Sequence, residues 1–116
     1  MSLDKIAQLD HKLNTFICIT AEEALEAAHQ ADRDRREGNA KGLLHGIPLS
    51  IKDLIDVSGL ATTAGSKARI DHVAQKNSVI TKHLRAAGTI LIGKCNLHEF
   101  ALGTTGEDSA FGITIN

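Results

Sequence analysis

A run of five residues, Thr-Ile-Leu-Ile-Gly at 89–93, narrows the range of folds open to this chain. Its central side chains are apolar at successive positions, so both faces of the segment are apolar, as expected for a strand buried on both sides. Apolar residues recur at helical spacing just before it, from Val79 to Ala87, and Gly88 ends that pattern. Because helical and apolar extended segments alternate along the chain, the sequence predicts an α/β fold.

The N-terminal third shows the same alternation. Residues 3–13 place leucine and isoleucine at helical spacing, and residues 14–20 form a short run rich in β-forming residues. Thr20 and Glu23 make a capping-box pattern, in which each side chain would bond the other residue's backbone N–H. We expect a helix to follow and to reach about Glu37.

Four further segments have a recognisable pattern. Residues 46–59, GIPLSIKDLIDVSG, are rich in apolar side chains and predict a strand that enters the interior. Residues 59–68 are small and predict a loop, and residues 96–103 predict a short helix. The last residues, from about 104, predict a loop.

Composition excludes several classes of protein. A length of 116 residues is that of one domain, and a formal net charge of −1 offers no basic surface for nucleic acid. No apolar run approaches the roughly 20 residues of a membrane span. Cys18 and Cys95 are far apart and fit no disulfide framework. We therefore predict a cytoplasmic protein with free thiols, which binds neither membrane nor nucleic acid directly.

Two short motifs resemble ligand-binding patterns, but neither contains all the residues that its ligand needs. Residues 88–95, GTILIGKC, approach the phosphate-loop pattern, yet Cys95 stands where magnesium needs a hydroxyl, and the middle residues resemble a strand. Cys95 and His98 form the one close metal-like pair, and no second pair accompanies them. The sequence therefore predicts no metal and no cofactor, and it favours a structural role for all six histidines.

Lys52 is unexpected within residues 46–59, because interiors rarely accept a lysine without a partner or a purpose. In a regular strand, Ser50 and Lys52 share one face, while Ile51 and Asp53 share the other. Two interpretations stay open. The side chain reaches from the strand edge to water, or it is a desolvated lysine at a strand end that serves as a base.

A third interpretation pairs Lys52 with a serine, as in serine–lysine hydrolases. The candidate serines are Ser50, Ser66 and Ser109. Ser50 shares a strand face with Lys52, but none of the three lies in a nucleophile-elbow or S-x-x-K context. The residues give this dyad little support and do not exclude it.

Long segments of the chain resemble the amidase signature family. The segment GLLHGIPLSIKDLIDVSGLATTAGS contains the family's Gly-x-Pro-x-x-x-Lys-Asp strand. The segments LRAAGTILIGKCN and EFALG are similar to its helix–strand–loop run, and LNTFICITAEEALEAAHQAD to the region before it. The resemblance covers residues 5–116 and implies the N-terminal fragment of a mixed β-sheet flanked by helices.

The resemblance also implies a chemistry. In this family a serine nucleophile attacks an amide carbonyl, a second serine on a cis peptide bond relays its proton, and a lysine accepts that proton. Lys52 matches this catalytic lysine. Ala101, Leu102 and Gly103 match a stretch that lines the acyl pocket in family members. The expected substrate is a small-molecule amide.

One part of the family pattern is missing. The Gly-Gly-Ser-Ser-Gly-Gly-Ser signature supplies both serines and the oxyanion hole, and the chain contains neither Gly-Gly nor Ser-Ser. We expect the signature beyond Asn116, so that residues 1–116 are the N-terminal part of an amidase domain, truncated before that loop. The isolated chain, which would carry the catalytic lysine alone, is expected to be inactive.

Three hypotheses follow for function. The parent protein is a stand-alone amidase, or it is the glutamine-hydrolysing A subunit of an aminoacyl-tRNA amidotransferase, with the other subunits as partners. The third hypothesis comes from another class: an inactive truncated fragment with no enzymatic role. Because the sheet would be incomplete, we expect self-association through its exposed edges, or a partly disordered tail from about residue 104.

Overall fold

Helices and strands alternate in residues 2–115, the part of the chain that the computed structural model describes. In chain order they are α1 (Ser2–Leu13), β1 (Phe16–Ile19), α2 (Ala21–Arg36), β2 (Pro48–Lys52), α3 (Val79–Ala86) and β3 (Ile90–Cys95). Single 3₁₀ turns lie at Lys67–Arg69 and Glu99–Ala101. The predicted α/β class is confirmed, and the α-helices lie close to their predicted positions. None of the helices in this part of the chain is both long and apolar enough to cross a membrane.

β3 is the central strand of a mixed sheet with the order β1-β3-β2. β1 runs antiparallel to β3, and β2 runs parallel to it. The parallel register pairs Ile51 with Lys94 and Lys52 with Cys95. A parallel pair needs a crossover connection, which residues 53–89, including α3, provide. The apolar run at 89–93 thus lies largely in β3, the strand that has a hydrogen-bonded neighbour on each side.

α2 covers one face of the sheet. Ala24 and Ala31 of α2 are buried against Ile90 of β3, and Ala28 and Ile92 extend the same cluster. Alanine on the buried stripe of the helix lets its backbone come close to the strand, and the apolar contact gives the α2–β3 packing its driving force.

The predicted capping box at Thr20 and Glu23 is wrong. The Thr20 hydroxyl donates to the Leu91 carbonyl of β3 at 3.0 Å, and its side chain makes no bond at the helix N-terminus. Thr20 is buried beside β3 because β1 leads directly into α2, so the strand carbonyl is the acceptor within its reach. A side-chain cap is present on α3, where Ser78 Oγ accepts from Thr81 N–H at 3.1 Å.

β2 ends at Lys52, so the strand predicted over residues 46–59 is wrong beyond that point. The chain turns back there, since the Ile55 N–H donates to the Lys52 carbonyl at 3.0 Å. A second turn follows, in which the Leu60 N–H donates to the Val57 carbonyl at 3.0 Å. Val57 is fully buried within these turns and not in a strand. Periodicity alone does not separate a buried strand from a buried turn.

Two asparagines fasten the C-terminal segment, for which the sequence predicts partial disorder. Asn96 Nδ2 donates to the Gly112 carbonyl at 2.9 Å and to the Asn14 carbonyl at 3.1 Å. Asn14 Nδ2 in turn donates to the Phe111 carbonyl at 2.9 Å. In this structure the segment therefore follows a defined course past the end of α1. The expectation of self-association or of a partly disordered tail stays a prediction.

Candidate functional site

Lys52 is the last residue of β2, and its side chain is exposed. The predicted alternation of faces is confirmed: Ser50 and Lys52 are exposed, whereas Ile51 and Asp53 are buried. Among residues 2–115, nothing buries the Lys52 side chain. Of the interpretations left open, the one in which the side chain reaches water describes this structure.

The lysine that enters the interior is Lys94, in β3. Its side chain is 0% exposed, and that of Asp53 is 1% exposed. Lys94 Nζ lies 2.6 Å from Asp53 Oδ1, which makes a fully buried ion pair. The charged pair noticed in the sequence as Lys52-Asp53 is therefore divided between two faces. Lys52 points outward, and Asp53 points inward to a different lysine.

Every donor and acceptor of this ion pair has a partner. Lys94 Nζ also donates to the Ala61 carbonyl at 2.8 Å and to Thr62 Oγ1 at 3.1 Å, so that its three N–H groups are used. Asp53 Oδ2 accepts from the Thr63 N–H at 2.9 Å and from the Thr63 hydroxyl. Because buried charges are costly unless fully bonded, this arrangement is what makes the pair tolerable in the interior.

Lys94 was not predicted from the sequence. The residues around it attract attention only as an incomplete phosphate loop, and the structure confirms that they form a strand, Ile90–Cys95. A usable signal was present, because a single lysine in an otherwise apolar central strand calls for a buried partner. The same reasoning, applied to Lys52, led to an exposed residue, because Lys52 lies on the exposed face of β2.

The loop of small residues wraps the ion pair. Residues 62–66 are all buried, which small side chains permit. Gly65 has a φ of +72°, and a Cβ built on it would lie 2.8 Å from the Leu97 carbonyl oxygen. The Gly65 carbonyl accepts from the Ala110 N–H at 2.8 Å. A glycine at this position is therefore required both by the backbone angle and by the close approach of the chain.

Strained backbone occurs in this loop and in the turn that is hydrogen-bonded to it. Ala64, Phe100 and Ala101 have φ values of 57°, 51° and 57°, which non-glycine residues rarely adopt. The Phe100 N–H donates to the Ala64 carbonyl at 2.7 Å, and the Ala64 N–H donates to the Asp53 carbonyl at 3.0 Å. The helix predicted over residues 96–103 is accordingly a single 3₁₀ turn. Strained residues cluster at functional sites, so this cluster marks a candidate site.

The residues predicted to bind substrate, Ala101, Leu102 and Gly103, lie at the end of this strained turn and directly after it. Ala101 is exposed, and Leu102 is 85% exposed, so its side chain has little packing within residues 2–115. Gly103 lies beneath the imidazole of His98, because a Cβ built on it would lie 2.2 Å from His98 Cε1. A backbone hydrogen-bond path from Asp53 through Ala64 to Phe100 connects the end of β2 to this segment.

His98 is partly buried beside an open cavity of about 460 Å³. Leu102 and Asp108 also line this cavity. His98 Nε2 lies 3.5 Å from Asp108 Oδ2, and His98 Nδ1 is buried without a hydrogen-bond partner in the described residues. The structural role expected for the histidines is consistent with the packing of His98 against Gly103.

A second cavity, of about 390 Å³, lies between α2 and the start of β3. Its lining includes Glu23, Lys41, His45 and Arg85, and does not include Lys52 or the 101–103 segment. His45 is 3% exposed, and its Nε2 lies 3.0 Å from the Ala31 carbonyl oxygen. This cavity is therefore separate from the candidate site at the end of β2.

Two of the three candidate serines are engaged in local hydrogen bonds. Ser66 is buried, and its Oγ accepts from the Ala68 N–H at 3.3 Å. Ser109 Oγ lies 2.6 Å from Asn96 Oδ1, to which it donates. Ser50 is exposed on the same face of β2 as Lys52. Nothing in this arrangement adds support for a serine–lysine dyad within the chain.

Cys18 pairs with Lys94 in the register of β1 and β3. Burial raises the pKa of the Cys18 thiol, the Lys94 charge opposes that rise, and the Asp53 and Glu23 carboxylates add to it. Both cysteines are free. Among residues 2–115, no group of three or more His, Cys, Asp or Glu side chains could hold a metal ion.

Comparison with known proteins places these features in context. The family profile described as Amidase matches residues 1–116. Among curated proteins, the A subunit of the glutamyl-tRNA(Gln) amidotransferase of Acaryochloris marina is 44% identical over 115 residues, which are 99% of this chain and 24% of that protein. This chain therefore spans about a quarter of the length of that relative.

Solved structures give the same picture. The native peptide amidase from Stenotrophomonas maltophilia superposes with a TM-score of 0.84 at 37% identity, over 97% of this chain and 24% of that one. The A subunit of the glutamyl-tRNA(Gln) amidotransferase from Thermotoga maritima superposes with a TM-score of 0.75 at 29% identity, over 99% of this chain and 23% of that one. The mixed sheet described above is thus similar to the corresponding quarter of both proteins.

Proposed function

The chain belongs to the amidase family, and from that premise we propose that the protein of which it forms part hydrolyses amide bonds, with Lys52 as the final proton acceptor. The observation that carries the proposal is the position of Lys52. It ends a strand, projects from the sheet on the face opposite the buried Asp53, and fits the family's Gly-x-Pro-x-x-x-Lys-Asp segment.

The proposed chemistry uses two serines that lie outside residues 1–116. Lys52, in its uncharged form, takes a proton from the first serine hydroxyl, which takes the proton of the second. The second serine oxygen then attacks the amide carbonyl carbon, the carbon–nitrogen bond breaks, and the amine leaves with the proton that Lys52 returns through the first serine. Water hydrolyses the resulting ester and frees the serine.

We assign the segment Ala101, Leu102 and Gly103 to the wall of the substrate pocket. Support comes from the exposure of Leu102 and from the strained backbone at Phe100 and Ala101. An apolar side chain that is 85% exposed has a large surface left for another part of the protein or a substrate to cover. A small-molecule amide fits such a pocket.

Two substrate classes remain for the parent protein. A stand-alone amidase acting on small amides is the first, since the similar solved structures include a peptide amidase. The second is the glutamine-hydrolysing A subunit of an amidotransferase, working with partner subunits. Support for the second comes from curated relatives, named as the A subunit of glutamyl-tRNA(Gln) amidotransferase, at 40–45% identity. Free cysteines support a cytoplasmic location for either.

The 116 residues by themselves form an inactive unit in this proposal. They hold one of the three catalytic side chains, and the face of β2 that bears Lys52 is exposed. Purified chain 1–116 should therefore release no ammonia from amides. Amide hydrolysis by this chain, abolished by Lys52→Ala, would contradict the proposal.

The direct experiment is an assay of the full-length protein for ammonia release. Glutamine, with and without added amidotransferase subunits, is compared with a panel of simple aliphatic and aryl amides. Turnover of simple amides alone identifies a stand-alone amidase. Turnover of glutamine that depends on partner subunits identifies the A subunit. A full-length protein that releases ammonia from neither substrate class would contradict the proposed function.

A further inference from the structure

We propose that the buried Asp53–Lys94 pair is a positioning device for Lys52, which fixes the end of β2 relative to the 101–103 segment. This inference rests on the proposed function, because it assigns Lys52 a catalytic role. Neither Asp53 nor Lys94 would touch the substrate. Both lie on the inner side of the strand end, and their side chains are closed off from solvent.

Asp53 is held by bonds to all of its polar groups. Its N–H donates to the Cys95 carbonyl at 3.1 Å, and its carbonyl accepts from the Ala64 N–H at 3.0 Å. Its carboxylate accepts from Lys94 on one oxygen and from Thr63 on the other. The residue that follows Lys52 is thus fully engaged, and the backbone there has a single available course.

Lys94 connects three segments of the chain. Its ammonium bonds Asp53 at the end of β2 and both Ala61 and Thr62 in the small-residue loop, while its own backbone lies in the central strand. Three oxygen atoms, one each from Asp53, Ala61 and Thr62, therefore meet at one nitrogen, and each belongs to a residue at least 32 positions from Lys94. A side chain with fewer than three donors could not hold all of them.

The small-residue loop continues this link to the proposed substrate wall. Ala64 in the loop accepts from the Phe100 N–H at 2.7 Å, and Ala101 follows in the same strained turn. The pair thereby connects the backbone of Lys52 to the backbone of the 101–103 segment. Small displacements in such a link alter the distance between the base and the reacting groups.

The energy of the pair favours positioning over stability as its role. A buried ion pair is weak evidence for stability, because well-packed apolar side chains of similar volume are often as stable or more so. The three hydrogen bonds of Lys94 say more about the role of the pair. Hydrogen bonds fix the directions from which Asp53, Ala61 and Thr62 approach Lys94 Nζ, whereas apolar packing would not. A positioning role for the pair would make use of these fixed directions.

The test uses the full-length protein and four variants: Asp53→Asn, Lys94→Met, the double variant that carries both changes, and Thr63→Val. Thr81→Val serves as the matched control, since Thr81 is 1% exposed and its hydroxyl donates to the Asp56 carbonyl at 2.7 Å. The readouts are kcat, KM and the folded fraction by circular dichroism, with kcat expressed per folded molecule.

We expect each single change at the pair to lower kcat about 100-fold, with a much smaller effect on KM, because misplacing a catalytic group has an effect of that size. The double variant should regain thermal stability relative to the single variants while kcat stays low. Thr63→Val, which removes one bond to the carboxylate, should lower kcat about 10-fold. Thr81→Val should lower stability without changing kcat.

Several outcomes would overturn the inference. One is a double variant that regains wild-type kcat, and another is a Thr63→Val variant with unchanged kcat. The third is a loss of kcat in Asp53→Asn and Lys94→Met that is no larger than the loss in Thr81→Val. If Asp53→Asn and Lys94→Met do not fold, Thr63→Val decides by itself. Wild type and Lys52→Ala are assayed first. An inactive wild type, or an active Lys52→Ala, removes the proposed function and the inference with it, whereas a failure of the pair variants alone removes only the inference.

Discussion

Lys94 Nζ lies 2.6 Å from Asp53 Oδ1, and both side chains are closed to solvent. Asp53 directly follows Lys52, so the residue beside the proposed base is the one that carries the interior charge. Lys52 is exposed to solvent, whereas Lys94 is fully buried. The chain turns directly after Lys52, and this turn leaves Lys52 outside while Asp53 faces Lys94.

The ion pair gives the first prediction. Lys94→Met leaves the Asp53 carboxylate buried without its partner, and we expect the free energy of unfolding to fall by about 3–5 kcal/mol. Urea denaturation measures this loss. Lys82→Ala, at an exposed position of α3, is the control and should change stability by less than about 0.5 kcal/mol. Equal effects of the two substitutions would show that the pair is not buried as described.

Gly103 gives the second prediction. A Cβ at this position would lie 2.2 Å from His98 Cε1, so Gly103→Ala must displace the imidazole. We expect a loss of about 1–3 kcal/mol in the free energy of unfolding, as for other overpacked sites. The double variant Gly103→Ala/His98→Ala removes the ring and should recover part of that loss. If Gly103→Ala is as stable as wild type, the ring does not lie over Gly103.

Asn96 gives the third prediction. Its side chain bonds Gly112, Asn14 and Ser109, so Asn96→Ala should release the C-terminal segment. We expect faster proteolysis after residue 104 and faster amide hydrogen exchange there, with little change in α2. Ser58→Ala, which removes a hydroxyl bond to the Gln75 carbonyl elsewhere on the surface, is the control. Unchanged proteolysis in Asn96→Ala would mean that other contacts hold the segment.

Cys18 gives the fourth prediction. Burial raises the pKa of its thiol, so at a given pH the reactive thiolate is a smaller fraction in the folded chain than in the unfolded chain. In a Cys95→Ser background, iodoacetamide at pH 8 should alkylate Cys18 more slowly in buffer than in urea, as followed by mass spectrometry. The half-maximal rate should lie at higher pH in the folded chain. Equal rates in both states would contradict this environment.

Lys94 provides an internal check on that prediction. Its positive charge lowers the pKa of Cys18 against the larger effect of burial. In a Lys94→Met variant that is still folded, the pKa should rise further, and alkylation at pH 8 should slow again. Faster alkylation in a folded variant would show that the Lys94 charge does not act on Cys18.

Local patterns were sufficient for most of the elements. The period of the apolar residues located α1 and α3, and the run at 89–93 located the central strand β3. The start of α2 was located by the capping-box pattern, although the predicted Thr20 cap bond is absent. Side-chain hydrogen bonds were harder to predict. As a cap, the Thr20 hydroxyl would accept from a backbone N–H of α2, but in the structure it donates to the Leu91 carbonyl and makes no cap bond. A capping pattern in sequence carries no information about a neighbouring strand.

The candidate site was predictable only in part. The resemblance identified Lys52 as the candidate base, and the alternation of β2 gave the face it lies on. The partner of Asp53 could not be read from spacing, because Lys94 is 41 positions away and meets it only through a parallel strand pairing. The left-handed angles at Ala64 and Phe100 were also hidden, since neither residue type favours them.

The central claim is that Lys52 is the proton acceptor of an amidase, and one measurement tests it most directly. It is kcat/KM for amide hydrolysis by the full-length protein and by its Lys52→Ala variant, with Lys82→Ala as the matched control. We predict that Lys52→Ala lowers kcat/KM by roughly 10²–10⁴-fold, as expected for loss of a positioned base, and that Lys82→Ala retains wild-type activity. A Lys52→Ala protein that is folded and as active as wild type would contradict the account.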